Sequence, residues 1–273
     1  MNATTLDIAT GRLAGRRQPR LLGIRNVLGK DVKEWLQSKR PSTVVLVSLL
    51  VFLLTAASAR INEWLINNVP AEAGDAPAKV TSLQPMDNLL ASVGTQFVVI
   101  AVIFATMSLL LAERDNGTLA WTISKPVSRT SVLVSKWLTS TVILWVTAVV
   151  IPIALTTVLV TVLYGLPNLA VVATLTVTLI AVPALFVAIT LALGAIVPSQ
   201  AAVGAIALAL FVTPQIVGGI VPSITPFFPT SIFGWAMEVS AGGPASLVTP
   251  VAWLAGMIAL FILARNRLNA MEL

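Results

Sequence analysis

Few residues in this chain are of types that carry catalytic or nucleotide chemistry. The 273 residues include no cysteine and no histidine, which excludes thiolate nucleophiles, imidazole bases and zinc sites of the HExxH kind. The segment from Gly23 to Asp31 superficially resembles a phosphate-binding loop, but five residues instead of four separate Gly23 from Gly29, and Asp31 stands where a hydroxyl should bind magnesium. The sequence therefore predicts no ATPase site and no enzymatic activity in this chain.

The composition is typical of a membrane protein. Hydrophobic residues make up 57% of the chain, charged residues only 10%, and the mean hydropathy is +0.93. A soluble core of this size cannot bury so much apolar surface, so the bilayer must be the solvent. The net charge of +6 comes without a basic patch interleaved with aromatic residues, and we therefore expect no nucleic-acid binding.

Six apolar segments are long enough to cross the bilayer as helices. Each has 18 residues or more and contains no Asp, Glu, Lys or Arg, and a helix needs about 20 residues to span the hydrocarbon. The predicted spans are 42–59, 89–112, 137–164, 169–197, 201–221 and 247–264. The predicted fold is an all-α integral membrane protein, with a cytoplasmic N-terminal segment, 1–40, and a six-helix transmembrane domain, 41–273.

The basic residues predict the orientation of these spans. Of the 17 Lys and Arg residues, all but Arg60 and Lys79 lie before the first span, between the second and third, or after the last. Basic loops remain in the cytoplasm, so both termini are predicted to be cytoplasmic, in the inner or plasma membrane of the cell.

Fusion reporters test this orientation. Reporters at positions 75 and 235 should be external and those at 125 and 270 cytoplasmic, because loops rich in Lys and Arg resist translocation. Activity of an alkaline phosphatase fusion, compared with fluorescence of a green fluorescent protein fusion at the same position, measures the location. A cytoplasmic signal at 235 would contradict the six-span topology.

The segment 21–39 has the pattern of an amphipathic helix. Apolar residues recur in it at steps of three and four, with charged residues elsewhere around the helix. These apolar residues are Leu21, Ile24, Leu28, Val32 and Trp35. We expect an interfacial helix on the inner membrane surface, with Trp35 at headgroup depth and Pro41 separating it from the first span. The alternative is a short helix packed on other protein.

The connection 222–246 between the last two spans is rich in proline and aromatic residues, and Glu238 is its only ionisable residue. A connection of this composition is unfavourable in water, so we predict a re-entrant hairpin in the outer leaflet. Its aromatic residues are predicted to form an outer gate. They are Phe227, Phe228, Phe233 and Trp235.

The most specific pattern lies in the inner loop 113–129, after the second span. An acid is followed by Gly117-Thr118-Leu119, by a few apolar residues, by Ser124-Lys125-Pro126-Val127-Ser128-Arg129 and by a downstream Lys136. The order and spacing resemble those of ABC-2-type ABC transporter permease subunits, the NosY-like branch in particular. In that pattern Gly117 permits a tight turn, Thr118 caps a short helix 119–124, and Pro126 ends it.

The resemblance implies the permease subunit of an ATP-driven exporter. The implied partners are two copies of an ABC ATPase subunit, which would bind ATP and Mg, and a second permease chain, identical or not. This chain itself would bind no cofactor or metal. The inner loop would include a coupling helix that docks on the ATPase. The residues so assigned to docking and coupling are Glu113, Arg114, Gly117, Thr118, Leu119, Trp121, Ile123, Ser124, Lys125, Pro126, Val127 and Arg129.

Two other functions remain open from the sequence. A self-sufficient secondary transporter usually has ionisable residues at mid-membrane, which these spans lack, although hydroxyls and carbonyls alone can form a sodium site. A non-transporting scaffold coupled to an ATPase would carry the same inner-loop pattern. The uncharged spans favour a hydrophobic or amphipathic cargo, and the pattern does not identify it further.

Overall fold

The computed structural model describes residues 23–68, 94–118, 128–240, 242–243 and 246–270. Within these ranges the regular structure is helical, in agreement with the predicted fold class. The helices in chain order are α1 Ile24–Gln37, α2 Arg40–Asn68, α3 Gly94–Thr106, α4 Leu109–Asp115, α5 Arg129–Trp145, α6 Ile151–Tyr164, α7 Leu169–Thr178, α8 Ala181–Gly194, α9 Gln200–Ile220, α10 Ile232–Ser240 and α11 Val248–Ala270.

Five stretches of the described chain are long and apolar enough to cross a membrane by themselves. They are Gln96–Asp115, Arg129–Leu163, Leu169–Gly194, Gln200–Ile220 and Val248–Ala270. Helix α1 and the start of α2 pass the same test together, as a pair bent by 57°, which brings the number to at most six. The prediction of a multi-pass membrane protein is therefore confirmed, and the predicted first span lies within α2.

Some of the spans are locally interrupted. A π-helical turn, Val146–Val150, joins α5 to α6, and Pro152 follows it in the first turn of α6. Proline has no N–H to donate to the preceding turn, so the π-helical turn lies where regular α-helical bonding stops. Pro214, by contrast, lies inside the continuous helix α9. Prolines in these spans therefore mark different local structures.

Helix α8, the second half of the span Leu169–Gly194, lies at the centre of the described bundle. Almost every residue of α8 is buried, and this helix contacts α3, α5, α9 and α11. Tryptophans of neighbouring helices donate their indole N–H to backbone carbonyls of this span. The bonds are Trp137 to Ala184 at 2.8 Å, Trp145 to Thr176 at 2.8 Å and Trp253 to Ala181 at 3.1 Å. Each bond ties a surrounding helix to the centre in apolar surroundings.

The chain after α9 is folded against its neighbours. Two 3-10 turns, Pro222–Phe227 and Pro229–Ser231, lead into α10. The second turn lies so close to α11 that a methyl group at Gly256 would be 2.8 Å from Pro229 Cγ. The re-entrant position of the connection 222–246 in the outer leaflet stays a prediction.

Candidate functional site

Four charged side chains meet where α1 packs against the middle of α5, near the end of α4. The Nζ atom of Lys136 lies 3.0 Å from Glu113 Oε1 and 3.5 Å from Asp31 Oδ1. Lys30 donates to the same Glu113 oxygen at 2.7 Å. Two acids and two bases thus form one ion cluster, consisting of Lys30, Asp31, Glu113 and Lys136, that joins three helices.

The helical repeat explains how α1 reaches this cluster. Val27, Asp31 and Trp35 recur every fourth residue and are the buried residues of α1. They face α5, where Ser135 Oγ donates to Asp31 Oδ2 at 2.6 Å and Trp35 Nε1 donates to Ser140 Oγ at 3.1 Å. The Trp35 indole is therefore buried in protein, and the alternative of a helix packed on other protein describes this face. Its position at headgroup depth stays a prediction.

The face of α1 that is buried in protein differs in phase from the predicted apolar face, whose contact with the membrane stays a prediction. Leu28 and Val32 are only partly buried, whereas Asp31 is 3% exposed. The surface of α5 explains which face of α1 is buried. The face of α5 that contacts α1 carries hydroxyls and an ammonium group, and a carboxylate can bond to these groups whereas an aliphatic side chain cannot. Trp35 belongs both to the predicted apolar face and to the face that is buried in protein.

The ion cluster is largely shielded from solvent. Glu113 and Lys136 are each 5% exposed. Burying an isolated charge costs several kcal/mol, and a buried partner of opposite charge offsets much of that cost. Burial raises the pKa of the Asp31 carboxyl, although Lys136 and the hydroxyl of Ser135 oppose the rise. Burial alone would lower the pKa of Lys30, but its bond to Glu113 holds that pKa above the ordinary value. The charges of the cluster therefore depend on one another.

Three carboxylates are close enough here to be considered as a metal site. One oxygen from each of Asp31, Glu34 and Glu113 lies within 4.8 Å of the others, and carboxylate oxygens are the preferred ligands of calcium and magnesium. However, Lys30 and Lys136 already neutralise two of these carboxylates, so a divalent cation would have to displace them. The charge balance favours an ion-pair network.

The inner loop leaves the bundle directly beside this cluster. Arg114 Nη1 donates to the carbonyl of Gly194 in α8 at 3.2 Å, and Thr118 Oγ1 donates to the Glu113 carbonyl at 3.3 Å. Gly117 has a φ of +69°, a left-handed conformation that glycine adopts without steric cost. The tight turn predicted at this glycine is therefore confirmed.

The inner loop also returns to the bundle at a fixed point. Ser128 caps α5, with its hydroxyl accepting from the Ser131 backbone N–H at 3.0 Å. Arg129 donates to the carbonyl of Leu268 in α11. Both ends of the loop are thus attached to helices by hydrogen bonds. The predicted coupling helix 119–124 and the other residues assigned to docking and coupling between Thr118 and Ser128 lie outside the described ranges. The assigned residues in this stretch are Leu119, Trp121, Ile123, Ser124, Lys125, Pro126 and Val127.

The predicted gate residues lie between α9 and α11. Phe227 is 66% exposed, whereas Phe228 and Trp235 are partly buried. The side chain of Phe233 is outside the described part of the structure. Trp235 Nε1 is buried and has no hydrogen-bond partner within that part. Their role as a gate stays a prediction.

Sequence reasoning missed Asp31 and Ser135, and it treated Lys136 as a loop residue although it lies in α5. The spacing of apolar residues around Asp31 could have indicated its burial. Asp31 lies four residues from both Val27 and Trp35, so it shares a helix face with two large apolar residues. A buried acid requires a basic or hydroxyl partner from elsewhere in the chain, but the sequence does not show which one.

Comparison with known proteins covers most of this architecture. Residues 25–232 match the family model described as "ABC-2 family transporter protein". The matched range begins in α1, contains the ion cluster and the whole inner loop, and ends at the start of α10. No curated protein matches the sequence.

Proposed function

Since the chain belongs to the ABC-2 family of transporter proteins, whose membrane domains are permease components of ABC transporters, we propose that it docks a separate ATPase subunit through the inner loop 113–129. We further propose that the complex is an exporter of the NosY-like branch and that this chain forms the substrate pathway. ATP and Mg would bind to the ATPase subunit.

The observation that carries this proposal is the attachment of the inner loop at both ends. Glu113 lies in the ion cluster, Arg114 bonds to α8, and Arg129 bonds to α11. A docking element can transmit movement only if its ends are held by packed helices with little slack. We therefore expect a displacement of this loop to be passed to α1, α4, α5, α8 and α11 together.

The same bonds divide the loop into two parts. Three charged side chains, Glu113, Arg114 and Arg129, bond to other residues of this chain. We therefore assign them to holding the loop in place and not to the surface that contacts the ATPase. That contact is left to residues 119–127, in which Trp121 is the largest apolar side chain. A tryptophan in the centre of a contact is the residue type that most often dominates binding energy.

A second permease chain is part of the proposal. Large apolar residues are exposed on α2 and α9, with Leu46 69%, Leu50 58% and Ile216 60% exposed. Lipid or another permease chain must cover such faces in a membrane. We propose a complex of two permease chains and two ATPase copies.

The test is purification of the tagged full-length chain in mild detergent, followed by mass spectrometry of its partners and reconstitution into liposomes. We expect an ABC ATPase in equal amount and ATP-dependent movement of hydrophobic or amphipathic compounds that persists after ion gradients are collapsed. Movement that needs no ATPase and stops with the gradient would indicate a secondary transporter. ATP hydrolysis without movement of any compound would indicate a scaffold.

A further inference from the structure

A groove with a volume of about 530 Å³ lies between the start of α2 and α3. Its wall on α2 extends from Arg40 to Val47 and its wall on α3 from Phe97 to Ala105, which is about 10–12 Å of each helix at 1.5 Å per residue. The residues that join α1 to α2, 38–39, also line it. The groove therefore extends from the α1–α2 junction into the apolar part of the first two spans.

The part of the groove that lies within the spans is apolar and open to the outside of the bundle. Of the residues that line it, Val44 is buried, whereas Val47, Phe97 and Phe104 are exposed. Exposed aliphatic and aromatic side chains of a span must be covered by lipid tails or by another protein. This part of the groove therefore suits a hydrocarbon chain.

The end of the groove at the α1–α2 junction is basic. Lys39 and Arg40 both line it, and none of the described residues that line it is Asp or Glu. Arg40 is oriented by a bond from its Nη2 atom to Ser108 Oγ at 3.0 Å, and its guanidinium carries further N–H donors. Helix α2 also begins here without an acidic residue in its first turn, so the positive end of its dipole adds to the two cations. This end of the groove attracts an anion.

The two cations differ in how far nearby carboxylates engage them. Arg40 also lines a smaller neighbouring cavity together with Asp31 and Glu34, and Lys39 does not. Lys39 is exposed and has no ion-pair partner within the described part of the chain. The ammonium group of Lys39 is therefore the cation most available to a bound anion.

Position and charge select among the molecules that could cover the groove. Basic pockets between membrane helices on the cytoplasmic side hold the headgroups of anionic lipids, and the basic loops predict that the α1–α2 junction lies on that side. A second copy of the chain fits less well, because lysine is depleted at the core of protein interfaces. A soluble anion would leave the apolar part of the groove uncovered.

We propose that this groove binds an anionic glycerophospholipid of the inner leaflet, with its phosphate at Lys39 and Arg40 and one acyl chain against Val47, Phe97 and Phe104. The lipid is a resident ligand taken from the surrounding bilayer. The inference therefore goes beyond the proposed permease function and does not depend on it.

Native mass spectrometry of the full-length chain in mild detergent, titrated with phosphatidylglycerol, tests the charged end of the site. We expect one phosphatidylglycerol to bind about tenfold or more tightly than phosphatidylcholine with the same acyl chains, because choline adds a positive charge beside Lys39. Lys39→Gln should weaken phosphatidylglycerol binding about fivefold or more, since it removes a charge-assisted hydrogen bond. Lys33→Gln is the matched control, because Lys33 is an exposed lysine of α1 that does not line the groove, and it should change binding less than about twofold.

A second pair of variants tests the apolar part of the groove. Val47→Trp places a larger side chain on its wall and leaves both cations unchanged, so it should weaken phosphatidylglycerol binding about fivefold or more. Leu46→Trp is the matched control, because Leu46 is an exposed neighbour on α2 that does not line the groove, and it should leave binding unchanged. Glycerol 3-phosphate, which has the phosphate but no acyl chain, should not displace the lipid.

Several results would overturn the inference. Equal binding of the two lipids, equal binding of phosphatidylglycerol to wild type and Lys39→Gln, or equal weakening by Lys33→Gln would each do so. Displacement by glycerol 3-phosphate would indicate a site for soluble anions instead. The chain has no cysteine, so a single Phe104→Cys variant can be cross-linked in liposomes, and efficient cross-linking between two copies would show that a second chain covers the groove.

Discussion

Replacing Lys136 with methionine is expected to lower the free energy of unfolding by about 3–5 kcal/mol, as is typical when one partner of a buried ion pair is removed. The substitution keeps the length of the side chain but leaves the carboxylate of Asp31 without a cation in a buried position, and it leaves Glu113 with Lys30 alone. Reversible unfolding of the purified chain in mixed detergent micelles measures the change.

The double variant Lys136→Met with Asp31→Asn tests the cause of this effect. It restores the balance of charge in the ion cluster, so it should recover most of the lost stability even though it removes one more ionic group. Lys33→Met is the matched control, because Lys33 is an exposed lysine of α1, and it should change the free energy of unfolding by less than about 0.5 kcal/mol. A double variant as unstable as the single one would show that Lys136 acts through packing and not through charge.

Replacing Trp121 with alanine is expected to raise the dissociation constant for the ATPase about 30-fold or more, the range for a central aromatic residue of an interface. Lys125→Ala should change it less than about fivefold, because a charge at the rim of a contact contributes little. Affinity between the purified subunits, measured by biolayer interferometry, gives both values.

Two backbone substitutions test coupling separately from affinity. Gly117→Ala strains a residue whose φ is +69°, and Pro126→Leu removes the predicted end of the coupling helix. Each should reduce transport per ATP hydrolysed while the chain still inserts into the membrane. If Trp121→Ala and Pro126→Leu both left assembly, hydrolysis and transport at wild-type levels, the inner loop would not be the coupling element.

The membrane spans could be predicted because the bilayer restricts the residue type at almost every position of a span. Helix α9 was predicted as 201–221 and is Gln200–Ile220. The third span was predicted to begin at 137, yet α5 begins at Arg129. Mean hydropathy averages all faces of a helix, so the polar face formed by Ser131, Ser135 and Lys136 hid the first two turns of α5.

The candidate site was less predictable than the fold, because its contacts are tertiary. Local turn chemistry was enough to place the turn at Gly117. The buried face of α1 could not be predicted in the same way. The sequence of α1 allows two overlapping faces to be buried, and only the surface of α5 selects between them. Charges in short loops are usually solvated, so the burial of Glu113 has no signature in its own neighbourhood.

The ion cluster also imposes an order on biosynthesis. Lys30 and Glu113 are 83 residues apart, and Asp31 and Lys136 are 105 apart. At about 5–20 residues per second, a ribosome needs roughly 5–20 s to reach Lys136 after it has made Asp31. Helix α1 therefore leaves the ribosome long before its final position exists. During that interval the carboxylate of Asp31 can remain hydrated only if α1 stays outside the hydrocarbon. We therefore expect α1 to dock only after α4 and α5 have come together.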